Sequence, residues 1–291
     1  MNFCKTSASL LGALLAMACS APAQQSRTWL DEIEAEGYRG LTLDQLINFK
    51  AQGVDGSFIR QLRGVGLSLE PDEIVRFRET GVTVDYIHQL QRAGFTGLKA
   101  WDIAWLCEQA IDPTWMSGIQ SLGYAKFSIG DIVRFKETGV TPDFIESLQR
   151  ERLTGLKAWD IAWLRERSIE PAWMSEIRSV KYAKFSVGDV VTLHEHGVTP
   201  MFIQALQQQG LKGFNASEVS QLSENGVDPG WMRQIKAAGY ADSFRDYIRF
   251  REAGVTPNLI RDAQRRGFKD LNADRLVRLA AIDIFQTRPE R

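Results

Sequence analysis

The fold of this chain is decided by the stretch Gly139-Val140-Thr141-Pro142-Asp143-Phe144-Ile145-Glu146-Ser147-Leu148, one copy of a pattern that recurs along most of the sequence. Its Gly-Val dipeptide, or a stand-in for it, returns every 28 or 29 residues. A period of this length is typical of arrays in which one small supersecondary unit stacks on copies of itself. The eight dipeptides are Gly53-Val54, Gly81-Val82, Ala110-Ile111, Gly139-Val140, Ser168-Ile169, Gly197-Val198, Gly226-Val227 and Gly254-Val255.

Upstream of each dipeptide, apolar residues recur with the spacing of one helix face. With the glycine counted as position zero, positions −7 and −4 hold large apolar residues in every copy, as in Ile132 and Phe135. Glycine at zero can adopt the left-handed conformation that ends a helix. Five copies begin this helix with a pair of residues that resembles a capping box. These pairs are Thr42/Gln45, Ser128/Asp131, Ser186/Asp189, Asn215/Glu218 and Ser243/Asp246.

Downstream of the dipeptide, six copies carry a proline where a second helix would begin. Each copy is therefore predicted to form two helices of about ten residues, which are too short to be stable alone in water. The sequence predicts an all-α fold, a right-handed-type α-solenoid of tandem short helix–turn–helix repeats. It has eight copies, and half-repeat caps at residues 29–37 and 273–281 close its two ends.

The amino terminus is predicted to be a signal peptide over residues 1–23. Lys5 precedes an apolar run, and Ala21-Pro22-Ala23 is the small-x-small pattern of a cleavage site. The repeat array then covers residues 24–285, and residues 286–291 form a tail. An alternative prediction is a lipoprotein signal in which Cys19 becomes acylated. Both alternatives predict export, to the periplasm or the medium, and the second adds a lipid anchor in the envelope.

Charge and cysteine content exclude several classes of partner. Removal of residues 1–23 leaves 34 basic and 36 acidic residues, a net charge of −2. This balance implies neither a nucleic-acid partner nor a general attraction to anionic lipid. No apolar run in the mature chain is long enough to span a membrane. Cys107 is the one cysteine beyond the signal, so an intramolecular disulfide is not expected.

Four tryptophans are the strongest candidates for a binding surface. The segment at residues 97–106 recurs at 155–164, and it places Trp101, Trp105, Trp159 and Trp163 at positions −9 and −5. These positions lie nearly opposite the predicted core face. The indoles could form an exposed ladder for a protein helix, a glycan or another copy of the protein. Alternatively, they face the adjacent repeat and belong to the core.

Other chemistry-bearing residues favour structural roles. The acidic residues at position −8 occur once per repeat at a helix start, where an anion suits the helix dipole. His194 and His196 are two apart on one helix and cannot share a metal ion. No histidine near Cys107 in sequence would activate its thiol. We therefore expect no catalytic residue, metal or cofactor. A weak basic patch is formed by Arg261, Arg265, Arg266 and Lys269.

The stretch at 139–148, together with Gly123-Tyr124 and Gly239-Tyr240, resembles short helical repeats of bacterial envelope proteins. Some of those repeats follow membrane metallopeptidase domains of the β-lactam-sensor type. The zinc-binding His-Glu-x-x-His motif of such a peptidase is absent here. The resemblance implies a bacterial envelope protein that has the repeats and lacks the catalytic domain.

The function expected from the sequence is that of a non-catalytic repeat scaffold that mediates protein–protein interaction in the bacterial envelope. The alternative is a glycan or peptidoglycan binder that uses the four tryptophans.

Overall fold

A computed structural model describes residues 28–240 and 243–282, and all regular structure within these ranges is helical. The helices are α1 (Trp29–Ala35), α2 (Leu43–Ala51), α3 (Gly56–Gly64), α4 (Pro71–Glu79), α5 (Val84–Arg92), α6 (Ala100–Glu108), α7 (Pro113–Ser121), α8 (Ile129–Thr138), α9 (Pro142–Arg150), α10 (Ala158–Glu166), α11 (Pro171–Ser179), α12 (Val187–Glu195), α13 (Pro200–Gln208), α14 (Ala216–Glu224), α15 (Pro229–Ala237), α16 (Phe244–Glu252), α17 (Pro257–Arg265) and α18 (Ala273–Ala281). The predicted signal peptide, Cys19 and the tail lie outside the described residues.

The helix starts follow the predicted capping chemistry. All five predicted pairs form complete capping boxes, in which the cap side chain accepts from the third helical N–H and the partner side chain accepts from the cap N–H. Thr28 and Asp31 form a sixth box at the start of α1. The six prolines each occupy the first helical position, where no backbone hydrogen bond is lost.

Within each of two compact units, the helices pack in two layers. The closest backbone approaches join alternate helices, so that even-numbered helices pack on even-numbered ones and odd on odd. The chain divides into two compact units, one up to Glu79 and one from Thr80 onward. Helices α1–α4 belong to the first unit and α5–α18 to the second, and each unit repeats the same hairpin. The structure confirms the predicted all-α solenoid of tandem short hairpins.

The core consists of the apolar positions that the periodicity identified. Ile132 and Phe135 of α8 and Ile145 and Leu148 of α9 are completely buried. Burying a side chain of this size contributes about 1.5–3 kcal/mol relative to leaving it exposed. Because each helix has only nine or ten residues, or seven in α1, this burial between neighbouring copies stabilises helices that would not form alone.

At position zero, after the first helix of each copy, the backbone is in the left-handed conformation, and two copies reach it without glycine. Gly139 has a φ of 73°, as expected for a glycine that ends a helix. Ala110 and Ser168, which replace glycine after α6 and α10, have φ values of 49° and 54°. A side chain in this conformation costs roughly 1–2 kcal/mol. The two helices that carry the tryptophan pairs therefore end in strained residues.

Candidate functional site

The four tryptophans lie on the outer side of the even-numbered layer, with different exposure. Trp101 and Trp159, at position −9, are 57% and 58% exposed. Trp105 is 40% exposed, and Trp163 is half-buried. For comparison, Ile103 and Ile161 on the core side of the same helices are almost fully buried. We call Trp101, Trp105, Trp159, Trp163 and the intervening Arg134 the tryptophan face.

Contacts between neighbouring helices explain this difference. The side chains of Trp105, Arg134 and Trp163, at position −5, approach position −9 of the next copy. A methyl group added at Gly130 would lie 3.9 Å from Cη2 of Trp105, and one added at Gly188 would lie 3.8 Å from Cη2 of Trp163. The indole at position −5 therefore lies within van der Waals distance of position −9 in the following copy. The −5 indoles therefore contact the adjacent repeat, whereas the −9 indoles are more than half exposed.

Arg134 occupies position −5 between the two tryptophan pairs. Its guanidinium carbon lies 4.1 Å from the centre of the Trp159 ring, a cation–π contact. The Nη2 atom of Arg134 also lies 3.8 Å from Oε2 of Glu166 on the same helix as Trp159. The buried Nε of Arg134 has no hydrogen-bond partner among the described residues. The guanidinium therefore fixes one side of the Trp159 indole, and more than half of that side chain stays accessible.

Local sequence signals are unfavourable on both helices that carry the tryptophans. The residues that precede α6 and α10 are Lys99 and Lys157, and neither forms a side-chain cap. Replacing a good cap by a residue that cannot cap typically costs about 1 kcal/mol. Both helices also end in strained non-glycine residues, as described above. Departures from local folding rules that concentrate on one surface are typical of functional sites.

A second row of side chains runs between the copies, and the sequence analysis did not identify it. The side chain at position −3 packs on the ring at position +5 of the preceding copy. Arg165 contacts the Phe144 ring at 5.5 Å, and His194 meets the edge of Trp173 at 4.9 Å. In the first unit, Arg78 lies 3.7 Å from the ring of Phe58. These contacts join successive copies and therefore have a structural role.

Cys107 occupies position −3 in this row, where most copies have a cation. The thiol is half-buried, and desolvation raises its pKa above the usual value. A raised pKa keeps the thiol protonated at neutral pH, which opposes a role as a nucleophile. The neighbouring Tyr86 donates a hydrogen bond from its hydroxyl to the carbonyl of Ile111, at 3.0 Å. Cys107 is therefore a packing residue between two copies.

His194, His196 and two arginines of the carboxyl-terminal basic patch contact neighbouring side chains. His196 Nδ1 lies 2.6 Å from Oε1 of Glu224, while His194 packs on Trp173, so the two imidazoles have separate partners. Arg261 hydrogen-bonds to Asn258, and Arg265 pairs with Asp262. Lys269 is exposed, and Arg266 is exposed beside it. The charge of Arg265 is therefore compensated within α17, whereas Arg266 and Lys269 are exposed.

Within residues 28–240 and 243–282, no group of three histidine, cysteine or acidic side chains is arranged to hold a metal ion. None of the helices in these ranges combines the length and apolarity required to cross a bilayer. Comparison of the chain with family models and with curated proteins gives no match.

Proposed function

We propose that this protein is a non-catalytic repeat scaffold that mediates protein–protein interaction in the bacterial envelope, and that the tryptophan face is its binding surface. The observation that carries the proposal is the exposure of Trp101 and Trp159, at 57% and 58%, on helices whose two ends are locally unfavourable. Selection for stability alone would replace these indoles with polar residues. The other copies have polar residues or glycine at the same position.

A protein partner is supported by the composition of the face. Tryptophan and arginine are the residues most enriched in the energetic centres of protein interfaces. Trp105 and Trp163 pack against the following copy, and Arg134 packs on Trp159, so these side chains are partly ordered before binding. Prior ordering lowers the conformational entropy that association removes. The face therefore offers preorganised aromatic anchors at low entropic cost.

A glycan is the second candidate, and the duplication of the tryptophan pair supports it. Trp101 and Trp105 are repeated as Trp159 and Trp163 two copies later on the same layer. Two equivalent aromatic platforms suit a partner with its own repeating unit. The apolar face of a sugar ring can stack on an open indole while its hydroxyls bind neighbouring polar groups.

Export and location in the envelope are part of the proposal. They are supported by the signal-like sequence of residues 1–23 and by the resemblance of the repeats to those of envelope proteins. Intact mass of the protein isolated from its native cells distinguishes two amino termini. Cleavage before Gln24 gives an unmodified chain, whereas a lipoprotein begins with an acylated Cys19.

Site-specific photocrosslinking in the native cells tests the binding surface. A photoreactive amino acid replaces Trp101 or Trp159, and the control replaces Met201, which is 75% exposed on α13 of the other layer. We expect a discrete protein adduct from the two tryptophan positions and none from the Met201 position. Equal labelling from all three positions, or no adduct from either tryptophan position, contradicts a protein-binding role for this face.

Quenching of tryptophan fluorescence by purified cell-wall fragments separates the two partner classes. Saturable quenching supports the glycan if it is abolished in the double variant Trp101→Ala and Trp159→Ala. The control variant Met201→Ala should keep the quenching. Absence of quenching together with a protein adduct supports the protein partner.

A further inference from the structure

The second unit separates its charges onto two edges. Connections of the same kind lie side by side because alternate helices are neighbours in each layer. On one edge, the hydroxyl of Tyr124 donates a hydrogen bond to the carbonyl of Leu153 and accepts one from the N–H of Leu156. On the other edge, Arg167 and Glu195 of successive copies form an ion pair at 2.8 Å. The two sets of connections therefore form two continuous edges.

The edge made by connections from an odd-numbered helix to the next even-numbered helix is basic, and we call it the basic edge. Its described residues are 92–99, 121–128, 150–157, 179–186, 208–215, 237–240 with 243, and 265–272. Two acidic residues, Glu151 and Asp270, lie among them. Its twelve cations are Arg92, Lys99, Lys126, Arg150, Arg152, Lys157, Lys181, Lys184, Lys212, Arg265, Arg266 and Lys269.

The opposite connections of the same unit, from α6–α7 to α16–α17, are acidic. We call them the acidic edge. Arg167 is the one lysine or arginine among them. The eight acidic residues are Glu108, Asp112, Glu166, Glu170, Glu195, Glu224, Asp228 and Glu252. The nearly neutral total charge of the chain, −1, therefore includes two rows of opposite charge.

The two edges differ in how many of their charges form ion pairs. On the acidic edge, Glu166 lies 3.8 Å from Arg134, Glu195 pairs with Arg167, and Glu224 pairs with His196. The two arginine contacts compensate part of the charge of this edge. On the basic edge, seven exposed lysines form no ion pair with any described residue. They are Lys99, Lys126, Lys157, Lys181, Lys184, Lys212 and Lys269. The basic edge therefore keeps the longer row of unpaired charge.

Two cations of the basic edge occupy positions that favour glycine. Lys181 and Arg152 stand where other copies have glycine, as at Gly123, and their φ values are 54° and 57°. A side chain in this conformation costs roughly 1–2 kcal/mol. Lys181 also lines an open cavity of about 550 Å³ together with Arg178 and Lys184. The chain thus keeps cations at strained positions, one of them beside a basic cavity.

We propose that the basic edge binds a linear anionic polysaccharide, whose carboxylate or phosphate groups follow the row of lysines and arginines. A chain polymer fits because the charges continue over successive copies, so that one strand can contact many of them. Polyanion binding of this kind releases counterions and is strongly salt-dependent. The edge is distinct from the tryptophan face, and the proposal does not depend on a partner at that face.

The aromatic residues of the basic edge argue against a nucleic acid or a membrane. Single-stranded nucleic acids bind through exposed rings that stack on bases, and interfacial segments insert exposed apolar residues. Phe127 and Phe185 are buried, and Tyr124 and Tyr182 are half-buried. Among the rings of this edge in the described residues, Phe268 alone is exposed, at 42%. The described part of this edge therefore offers a row of charge with one exposed ring, and its other rings are buried or half-buried.

The test measures binding of fluorescently labelled polygalacturonate, a linear carboxylated polysaccharide, to the full-length protein over a range of salt concentrations. The test variant combines Arg152→Gly, Lys181→Gly and Lys184→Gln. The two glycines restore the residue of the other copies at strained positions, so folding is preserved. The control variant combines Arg233→Gln, Arg251→Gln and Arg278→Gln, which removes three exposed arginines away from the basic edge.

We expect the test variant to weaken binding by about tenfold or more and to lower the slope of log Kd against log salt by about two. The control variant, with the same net charge, should change Kd by less than about twofold. Equal losses in the two variants would overturn the proposal. So would equal binding of neutral dextran, or tighter binding of single-stranded DNA or of phosphatidylglycerol vesicles at the same salt concentration. Trp101→Ala with Trp159→Ala should leave this binding unchanged, which separates it from the function of the tryptophan face.

Discussion

The guanidinium of Arg134 and the indole of Trp159 are in direct contact, with the guanidinium carbon 4.1 Å from the ring centre. This contact joins α8 to α10, two neighbours in the even-numbered layer. It occupies the same pair of positions, −5 and the next −9, as Trp105 and Gly130. The contact between position −5 of one copy and position −9 of the next is therefore made in two ways. Either an indole packs against glycine, or an arginine packs against an indole, and the two ways alternate along the sequence.

A double-mutant cycle measures the contact between Arg134 and Trp159. We expect Arg134→Ala and Trp159→Ala to be coupled by about 0.5–1 kcal/mol, as for an exposed cation–π pair. The measurement is urea denaturation of the two single variants and the double variant. Lys184→Ala, combined with Trp159→Ala, is the control because Lys184 lies in a different connection. Additive effects of Arg134→Ala and Trp159→Ala would show that the contact contributes no stability.

The protein should be more stable with glycine than with the natural residue at the position after α6 and after α10. Ala110→Gly and Ser168→Gly relieve a left-handed conformation that costs roughly 1–2 kcal/mol for a side chain. Glycine also increases the entropy of the unfolded chain, which lowers the free energy of unfolding by about 0.5–1 kcal/mol. We expect each variant to gain about 0.5–1 kcal/mol in the free energy of unfolding, measured by urea denaturation at unchanged slope.

The matched control for this prediction is Ala253→Gly. Ala253 ends α16 with a φ of −81°, where alanine is unstrained. Glycine at this position should destabilise the protein because it adds entropy to the unfolded chain without relieving strain. A loss of stability in all three variants would mean that the left-handed residues are not strained.

The amino-terminal ends of the same two helices offer a second test. Lys99→Ser places a cap side chain three residues before Asp102, which completes the pair that forms a capping box elsewhere in the chain. Lys157→Ser does the same with Asp160. We expect each substitution to raise the free energy of unfolding by about 0.5–2 kcal/mol. Ser128→Ala, which removes an existing box, should lower it by a similar amount. Unchanged stability in the lysine variants would show that these helix starts are not deficient.

The fold could be predicted because the signals that define each helix are local. The proline starts, the pairs such as Ser128 and Asp131, and glycines such as Gly139 act within one turn of the helix they begin or end. The apolar period then identifies which side of each helix is buried, as Ile132 and Phe135 show. The box at Thr28 was missed, although its partner Asp31 is visible in the sequence, because no upstream repeat set the register there.

The candidate site was harder to predict because it depends on contacts between copies. The periodicity placed Trp105 and Trp159 opposite the core, but it could not show that Trp105 meets Gly130 or that Arg134 covers Trp159. The charge balance was misleading for a similar reason, since a sum over the chain cancels two edges of opposite sign. Sorting the charges by position within the repeat, rather than summing them, would have found both edges.

The thiol of Cys107 should react slowly in the folded protein. Its pKa is raised by burial, so the thiolate that attacks a disulfide reagent is scarce at neutral pH. A folded-state pKa above the unfolded value also means that this group contributes stability at low pH. That contribution is lost as the pH rises from the unfolded value through the folded one. We expect the reaction with a disulfide reagent at pH 7.5 to be about tenfold slower in buffer than in concentrated urea.

The mature chain should be used, so that Cys107 is its one thiol. Cys107→Ser should abolish the signal in both conditions and serves as the blank. A folded-state rate equal to the rate in urea would show that the thiol is accessible and ionised normally, against its assignment as a packing residue between two copies.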